Sequence, residues 1–208
     1  MSENDVIFSK SIVTRVSHDL AGVISAVSNS LALLDELGGA DRETLELAMN
    51  NADILMGRLR FFRAAFGSEG PLTDLGVTQH IFEEYLSTLE NRVVRYACVW
   101  QTDRELPIFT FRLILLGGMI AADSLPRGGR LLIRAEAGTR RICFETEGKG
   151  ASVDPSVSAA MTQADPEQIS PRTMPVFFLQ NCLSEQGWEL SVSSENDKVV
   201  FVLNEKEK

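Results

Sequence analysis

The sequence of 208 residues is poor in the side chains that build disulfide frameworks and metal sites, with three cysteines and two histidines. Cys98, Cys143 and Cys182 lie far apart. An odd count without a C-x-x-C spacing argues against a disulfide framework and against a zinc knuckle. Because each cysteine lies in an apolar run, we expect buried free thiols.

Long apolar runs and an excess of basic residues are also missing. No stretch reaches the roughly 18 to 20 apolar residues that span a bilayer. The first ten residues lack the basic start and apolar stretch of a signal peptide. Lys and Arg number 20 against 29 Asp and Glu, which gives a net charge of −9. Since the sequence has neither a membrane span nor a signal peptide, we expect a cytoplasmic protein. An acidic surface repels nucleic acid and anionic lipid, so we expect it to bind neither.

The composition is that of an ordinary soluble globular protein, with 44% hydrophobic and 24% charged residues. The hydrophobic pattern changes at residues 67–71, where two glycines and a proline predict a linker. This linker divides the chain into a helical domain, residues 1–66, and a mixed domain, residues 72–208.

The hydrophobic spacing of the helical domain predicts two long helices in an antiparallel hairpin. The first helix should end at Gly38 and Gly39, and Asp41 should cap the second. Both helices carry an apolar stripe with 3-4 spacing, which Ser30 interrupts in the first. Two such helices leave apolar surface open, and a second copy would cover it in a four-helix bundle. We therefore expect a homodimer, and the alternative is a monomer whose second domain covers the hairpin.

The mixed domain predicts the element order α-β-α-β-β-α-β-β. Helices are expected at 77–90, 107–125 and 174–186, with a short helical piece near 154–161, and strands at 92–100, 129–137, 141–146, 188–194 and 198–203. Because strands outnumber helices and several should pair antiparallel, the domain is expected to place helices on one face of a mixed sheet. The predicted fold class is α+β.

His18 is the strongest candidate for chemistry. It lies opposite the apolar seam of the first helix and should point to solvent. Ala21, Gly22 and Ser25 follow on the same face, although a glycine inside a helix costs about 1 kcal/mol relative to alanine. Small neighbours make room for another body to approach the ring, and the adjacent Asp19 can orient it. An ordinary surface histidine is the alternative, and this is also how we interpret the other histidine of the chain, at position 80.

The tetrapeptide Ser17-His18-Asp19-Leu20 resembles the H-box of two-component phosphorelay proteins, in which an acidic residue follows the phosphoacceptor histidine. Residues 14–34 resemble the α-proteobacterial histidine phosphotransferases of the ChpT type. That family has a dimeric helical hairpin followed by a degenerate ATPase-like domain of the histidine-kinase type. The order of elements agrees with it over nearly the whole chain, although the proline that often follows the H-box is absent here.

The resemblance implies that His18 accepts a phosphoryl group and passes it between response-regulator receiver domains, one of them in a hybrid kinase. Asp19 would orient the imidazole. Arg15 would contact the phosphoryl oxygens or the receiver, although a structural salt bridge explains it equally well. Small residues on the same face would admit the receiver: Ala21, Gly22 and Ser25. Mg²⁺ should come with the receiver, since no acidic cage is evident near His18.

A kinase of this architecture would bind ATP, but three nucleotide-binding elements are altered. The turn at residues 126–129 resembles the one that follows a magnesium-binding Asn-x-x-x-Asn pair, and counting back puts Leu116 and Ile120 at the asparagine positions. Thr146 replaces the adenine-reading aspartate. Residues 170–175 contain two prolines and no glycine where phosphate would bind. We expect no ATP binding, no autokinase activity and no cofactor or metal of its own. The alternative function is a non-catalytic dimeric adaptor that binds receivers.

Overall fold

The computed structural model describes residues 3–39, 41–67, 72–103, 105–136, 138, 140–162 and 169–206. The elements in chain order are α1 (Glu3–Glu36), α2 (Arg42–Phe66), α3 (Leu75–Leu89), β1 (Tyr96–Thr102), α4 (Ile108–Asp123), β2 (Gly129–Glu136), β3 (Arg141–Glu147), α5 (Pro155–Thr162), α6 (Met174–Glu185), β4 (Trp188–Glu195) and β5 (Lys198–Glu205). Most of the predicted linker, residues 68–71, lies outside the described residues.

The first two helices form the predicted antiparallel hairpin. After α1, Gly38 and Gly39 adopt φ angles of +74° and +76°, which favour glycine because they lie in the left-handed region. The Asp41 side chain accepts a hydrogen bond of 2.8 Å from the backbone N–H of Thr44 and so caps α2. Both helix boundaries therefore follow from local chemistry.

Ser30 does not interrupt the packing between the two helices. It is buried at 5% exposure, donates to the carbonyl of Ala26 at 2.8 Å and accepts from Asn51 Nδ2 at 3.3 Å. A buried hydroxyl is tolerated when it is hydrogen-bonded. The serine thus belongs to the seam between α1 and α2.

The second domain is a five-stranded sheet in the order β1-β2-β3-β5-β4 within the described residues. β1 and β2 are parallel, and the other neighbours are antiparallel. The long helices α3, α4 and α6 pack against one face of the sheet through a shared apolar core. This confirms the α+β class.

Helix α4 lies between the sheet and α3. A Cβ atom on Gly117 would come within 2.5 Å of the Phe144 ring, and one on Gly118 within 2.6 Å of the Phe82 ring. The two glycines therefore let the helix come close to aromatic side chains of the sheet and of α3.

The carboxyl end of α2 is part of the second domain's core. Phe61 and Phe62 are buried at 0% and 4% exposure, and the Phe61 ring stacks on Tyr85 of α3 with centroids 3.8 Å apart. The apolar stripe of α2 is therefore covered by the second domain at this end only. In the alternative predicted from the sequence, a monomer, the second domain would cover the whole hairpin. It covers the carboxyl end of α2 but leaves the apolar residues nearer its amino end exposed.

An open apolar stripe remains on the rest of α2. Leu45, Met49, Met56 and Leu59 follow a 3-4 spacing with Ala52 between them, and their exposures are 44%, 58%, 47% and 38%. On α1, exposed apolar side chains lie at Val13, Ile24 and Leu31. Within the described residues, no helix combines the length and hydrophobicity that crossing a membrane requires.

The three cysteines are free thiols, as predicted, but only Cys143 is fully buried. Cys98 and Cys182 are half-buried. Burial raises the pKa of all three thiols, that of Cys98 to about 12. They are therefore poor nucleophiles at neutral pH.

Candidate functional site

His18 lies on α1 with 83% of its side chain exposed. Helical periodicity puts it on the other side of the helix from Ile24 and Leu31. Its Nδ1 is 3.1 Å from Oδ1 of Asp19. A neutral ring that donates Nδ1–H to this carboxylate keeps its Nε2 unprotonated and nucleophilic.

The carboxylate of Asp19 is held from two sides. Its Oδ1 faces His18, while its Oδ2 accepts a hydrogen bond of 2.6 Å from Arg15 Nε one turn earlier. The Asp19 side chain is only 20% exposed. The ring of His18 is therefore bonded to a carboxylate whose own position is fixed.

Arg58 of α2 binds the backbone of α1 at Asp19. Its Nη1 donates to the carbonyl of Asp19 at 2.6 Å, and its Nη2 donates to the carbonyl of Thr88 at 3.0 Å. Gly57 allows this approach, since a Cβ atom there would lie 3.0 Å from Thr88 Cγ2. Arg58 thus ties the helix of His18 to the end of α3.

Arg15 connects α1 with the second domain. Its Nη2 is 3.4 Å from Oδ2 of Asp123, and its Nη1 donates to the carbonyl of Pro171 at 3.4 Å. Burial lowers the pKa of Arg15, but the carboxylates of Asp123 and Asp19 outweigh it and raise that pKa. With 14% of its side chain exposed, Arg15 forms the structural salt bridge that was the alternative to contact with an incoming phosphoryl group.

A cavity of about 610 Å³ opens beside His18, between α1 and the second domain. Charged residues from α1, from α4 and from the loops before α5 and α6 line the cavity: Arg15, Asp19, Asp123, Asp154 and Arg172. Arg172 Nη1 donates to Asp154 Oδ2 at 2.6 Å. Pro171 and Pro175, which the sequence places where phosphate would bind, line the same cavity.

The small residues predicted to admit a partner lie on open surface. Ala21, Gly22 and Ser25 are exposed, and a Cβ atom on Gly22 would meet no atom within 4 Å. The helix stays regular through them. The face around the His18 ring is therefore accessible to another protein.

The residues at the predicted asparagine positions are apolar and buried, Leu116 at 0% and Ile120 at 5% exposure. The Thr146 hydroxyl is also buried, donates to the carbonyl of Val199 at 3.1 Å and pairs with Ser124 Oγ at 3.1 Å. Among the described residues, no cluster of three or more His, Cys, Asp or Glu side chains is placed to hold a metal ion.

Gly148 and Gly150, which follow Thr146 by two and four residues, have structural explanations. A Cβ atom on Gly148 would lie 2.4 Å from the carbonyl oxygen of Gly128, because two turns pack backbone against backbone. Gly150 has a φ angle of +78°. These glycines fit the fold without a nucleotide.

The structure has a helical hairpin with an exposed histidine bonded to the next carboxylate, followed by an α/β sandwich, as the sequence predicts for a histidine phosphotransferase. A family model described as the histidine phosphotransferase C-terminal domain matches residues 78–198, more than half of the chain. The chain therefore belongs to this family.

Two similar proteins match over almost the whole chain. Protein phosphotransferase ChpT from Brucella abortus (strain 2308) is 29% identical over 197 residues, which is 91% of each chain. A solved structure described as a bacterial phosphotransferase has a TM-score of 0.82 at 27% identity and covers 98% of both chains. The predicted resemblance to the ChpT type is confirmed.

Proposed function

We propose that this protein relays a phosphoryl group between response-regulator receiver domains through a phosphohistidine at His18, without binding ATP. One observation carries the proposal: in a chain of the histidine phosphotransferase family, an exposed imidazole is bonded through Nδ1 to Asp19 at 3.1 Å. The carboxylate leaves Nε2 free to attack.

In the proposed reaction, the phosphoaspartate of a receiver docks on the face of α1 around His18. Nε2 attacks the phosphorus in line, an N–P bond forms, and the P–O bond to the receiver's aspartate breaks to release its carboxylate. The aspartate of a second receiver later attacks the phosphohistidine and returns the ring to its neutral form. Because the transition state is loose, positioning and charge neutralisation supply most of the catalysis. The receiver brings the Mg²⁺ that neutralises the phosphoryl oxygens.

The face that receives the partner includes Ala21, Gly22 and Ser25, whose small side chains follow His18 on one side of α1. Their exposure and the empty space around Gly22 support this role. A side chain at position 22 would start in open space, since its Cβ atom would meet no atom within 4 Å.

We expect Gly22→Leu to slow transfer from a phosphorylated receiver by about a hundredfold, since misplacing reacting groups by about 1 Å costs that much. Its thermal unfolding temperature should stay level or rise, because leucine is the better helix former by close to 1 kcal/mol. Gly22→Ala is the matched control and should transfer at nearly the parental rate. A Gly22→Leu protein with the parental rate would remove the docking role, and an unfolded one would show that Gly22 is a packing residue.

The absence of ATP binding is supported by the altered nucleotide positions. Mg²⁺ needs oxygen ligands, whereas Leu116 and Ile120 present buried hydrocarbon. The hydroxyl of Thr146 already has protein partners and cannot act as an anionic acceptor for the adenine amino group. Prolines at positions 171 and 175 remove backbone N–H donors beside the cavity.

Isothermal titration with millimolar ATP and Mg²⁺ should therefore give no saturable heat. Incubation with labelled ATP should leave the chain unlabelled. A histidine kinase with intact nucleotide motifs serves as the positive control for both measurements. Saturable binding would contradict the proposal, and label at His18 would make the protein a kinase.

We also propose that the protein is a homodimer. The open stripe from Leu45 to Leu59 has the 3-4 spacing of a helix that faces other helices, and the second domain of the same chain covers only the far end of α2. A second copy would place two hairpins together as a four-helix bundle. His18 would remain accessible, since it lies on the opposite side of α1.

A non-catalytic adaptor would share the fold and bind receivers without chemistry. Incubating the chain with a ³²P-labelled receiver distinguishes the two functions. The relay gives label on the chain that is lost in acid and stable in base, as expected of phosphohistidine. An adaptor would bind the receiver and remain unlabelled.

A further inference from the structure

Three charged side chains, Asp19, Arg15 and Asp123, connect the exposed ring of His18 to the second domain. The contacts run from His18 to Asp19 at 3.1 Å, from Asp19 to Arg15 at 2.6 Å and from Arg15 to Asp123 at 3.4 Å. The exposed fractions of these side chains are 83%, 20%, 14% and 45% in that order. Asp19 and Arg15, in the middle of this series of contacts, are therefore largely shielded from water, while the ring of His18 is exposed.

The geometry of α1 alone does not fix this arrangement. Neighbouring residues on a helix point about 100° apart, so Asp19 reaches His18 only when its carboxylate is rotated and held. Arg15 holds it, with Nε on Asp19 and the two Nη groups directed to Asp123 and the carbonyl of Pro171. A guanidinium is a planar fork, and contacts at several of its nitrogens fix its plane.

The anchor for this guanidinium is on a rigid element. Asp123 is the last residue of α4, and the residues before it, Ala121 and Ala122, are buried at 0% and 2% exposure. Three of the five N–H donors of Arg15 are directed to Asp19, Asp123 and the carbonyl of Pro171, and only 14% of the side chain is exposed. These contacts favour an internal support over a ligand of the receiver.

We propose that Asp123, acting through Arg15, is a positioning residue for phosphotransfer. It holds Asp19 against Nδ1 of His18, so that the second domain, which provides no nucleotide, sets the orientation and tautomer of the reacting ring. This inference rests on the proposed function of His18. It assigns the second domain a part in the chemistry without contact with the phosphoryl group.

Three variants test the inference: Asp123→Ala, Arg15→Met and the double variant. We expect each single variant to slow transfer from a phosphorylated receiver by about tenfold or more, since small displacements of a reacting group are costly. Because both residues belong to one chain of contacts, the double variant should be no slower than the slower single variant. Glu205→Ala is the matched control. It breaks the ion pair with Arg140, which lies outside the cavity beside His18, and the parental rate should remain.

The second measurement needs no receiver. The ¹⁵N chemical shifts of the His18 ring report which nitrogen carries the proton, and in the parent they should show mainly the Nδ1–H tautomer. In Asp123→Ala and Arg15→Met they should move toward the tautomer mixture of a free histidine, and in Glu205→Ala they should not. Asp123→Asn, which keeps the shape of the side chain, replaces Asp123→Ala in both measurements if the alanine variant does not fold.

The outcomes separate the inference from the function. Parental rates and parental ring shifts in the Asp123 variants would overturn the inference while leaving phosphotransfer intact. A slow Arg15→Met beside a normal Asp123→Ala would also overturn it, because Arg15 would then contact the receiver directly. If the parent takes no label, the proposed function fails, and the ring shifts alone decide whether Asp123 positions the ring.

Discussion

His18→Ala should carry no phosphoryl label after incubation with a phosphorylated receiver, whereas the parent is labelled. The loss should be complete, because Nε2 of His18 is the atom that forms the N–P bond. The fold should be unaffected, since 83% of the side chain is exposed and its one described hydrogen bond is to Asp19. Thermal unfolding and light scattering should give the parental unfolding temperature and mass.

The matched control is His80→Ala. The other histidine of the chain is also exposed, but it lies on α3 and not in the cavity beside α1. Its removal should leave labelling at the parental level. Label that persists on His18→Ala and disappears from His80→Ala would show that the phosphoacceptor is His80 on α3 and not His18 on α1.

The double variant Met49→Glu with Met56→Glu should convert the proposed dimer into a folded monomer. Both side chains are about half exposed in one chain and lie in the middle of the open stripe of α2. A bundle would bury four unpaired carboxylates there, and each buried charge without a partner costs several kcal/mol. The monomer should stay folded, because Phe61 and Phe62 remain packed in the second domain. Light scattering measures the change in mass.

Asn50→Glu is the control for added charge. This residue is exposed on the same helix, but helical periodicity turns it away from the stripe. The Asn50→Glu variant should keep the mass of the dimer. If the Met49 and Met56 variant kept the dimer mass, the interface would lie elsewhere on the molecule.

Local chemistry made much of this structure predictable. The boundary between α1 and α2 follows from Gly38, Gly39 and the Asp41 cap, each of which acts within a few residues. The exposed position of His18 follows from the period of the apolar stripe. The order of helices and strands follows from hydrophobic pattern, and the observed ends differ from the predicted ones by a few residues.

Contacts between distant residues were not predictable from one sequence. Asp123 and Arg58 have no local signal, since Arg15 meets Asp123 across 108 positions and Arg58 meets Thr88 across 30. The sequence gives Arg15 two alternative roles and contains no sign of its contact with Asp123, on which the proposed supporting role rests. Ser30 appeared to break the seam because its partner, Asn51, is on the other helix.

The central claim is that the phosphoryl group passes through His18 on its way between two receivers. A pulse–chase experiment tests it most directly: the chain is labelled by one phosphorylated receiver, purified from it and mixed with a second, unlabelled receiver and Mg²⁺. The label should leave the chain and appear on the second receiver as an acid-stable, base-labile acyl phosphate, and His18→Ala should relay nothing. Label that never enters the chain, or that enters and does not move to any receiver tested, would rule out a relay through His18.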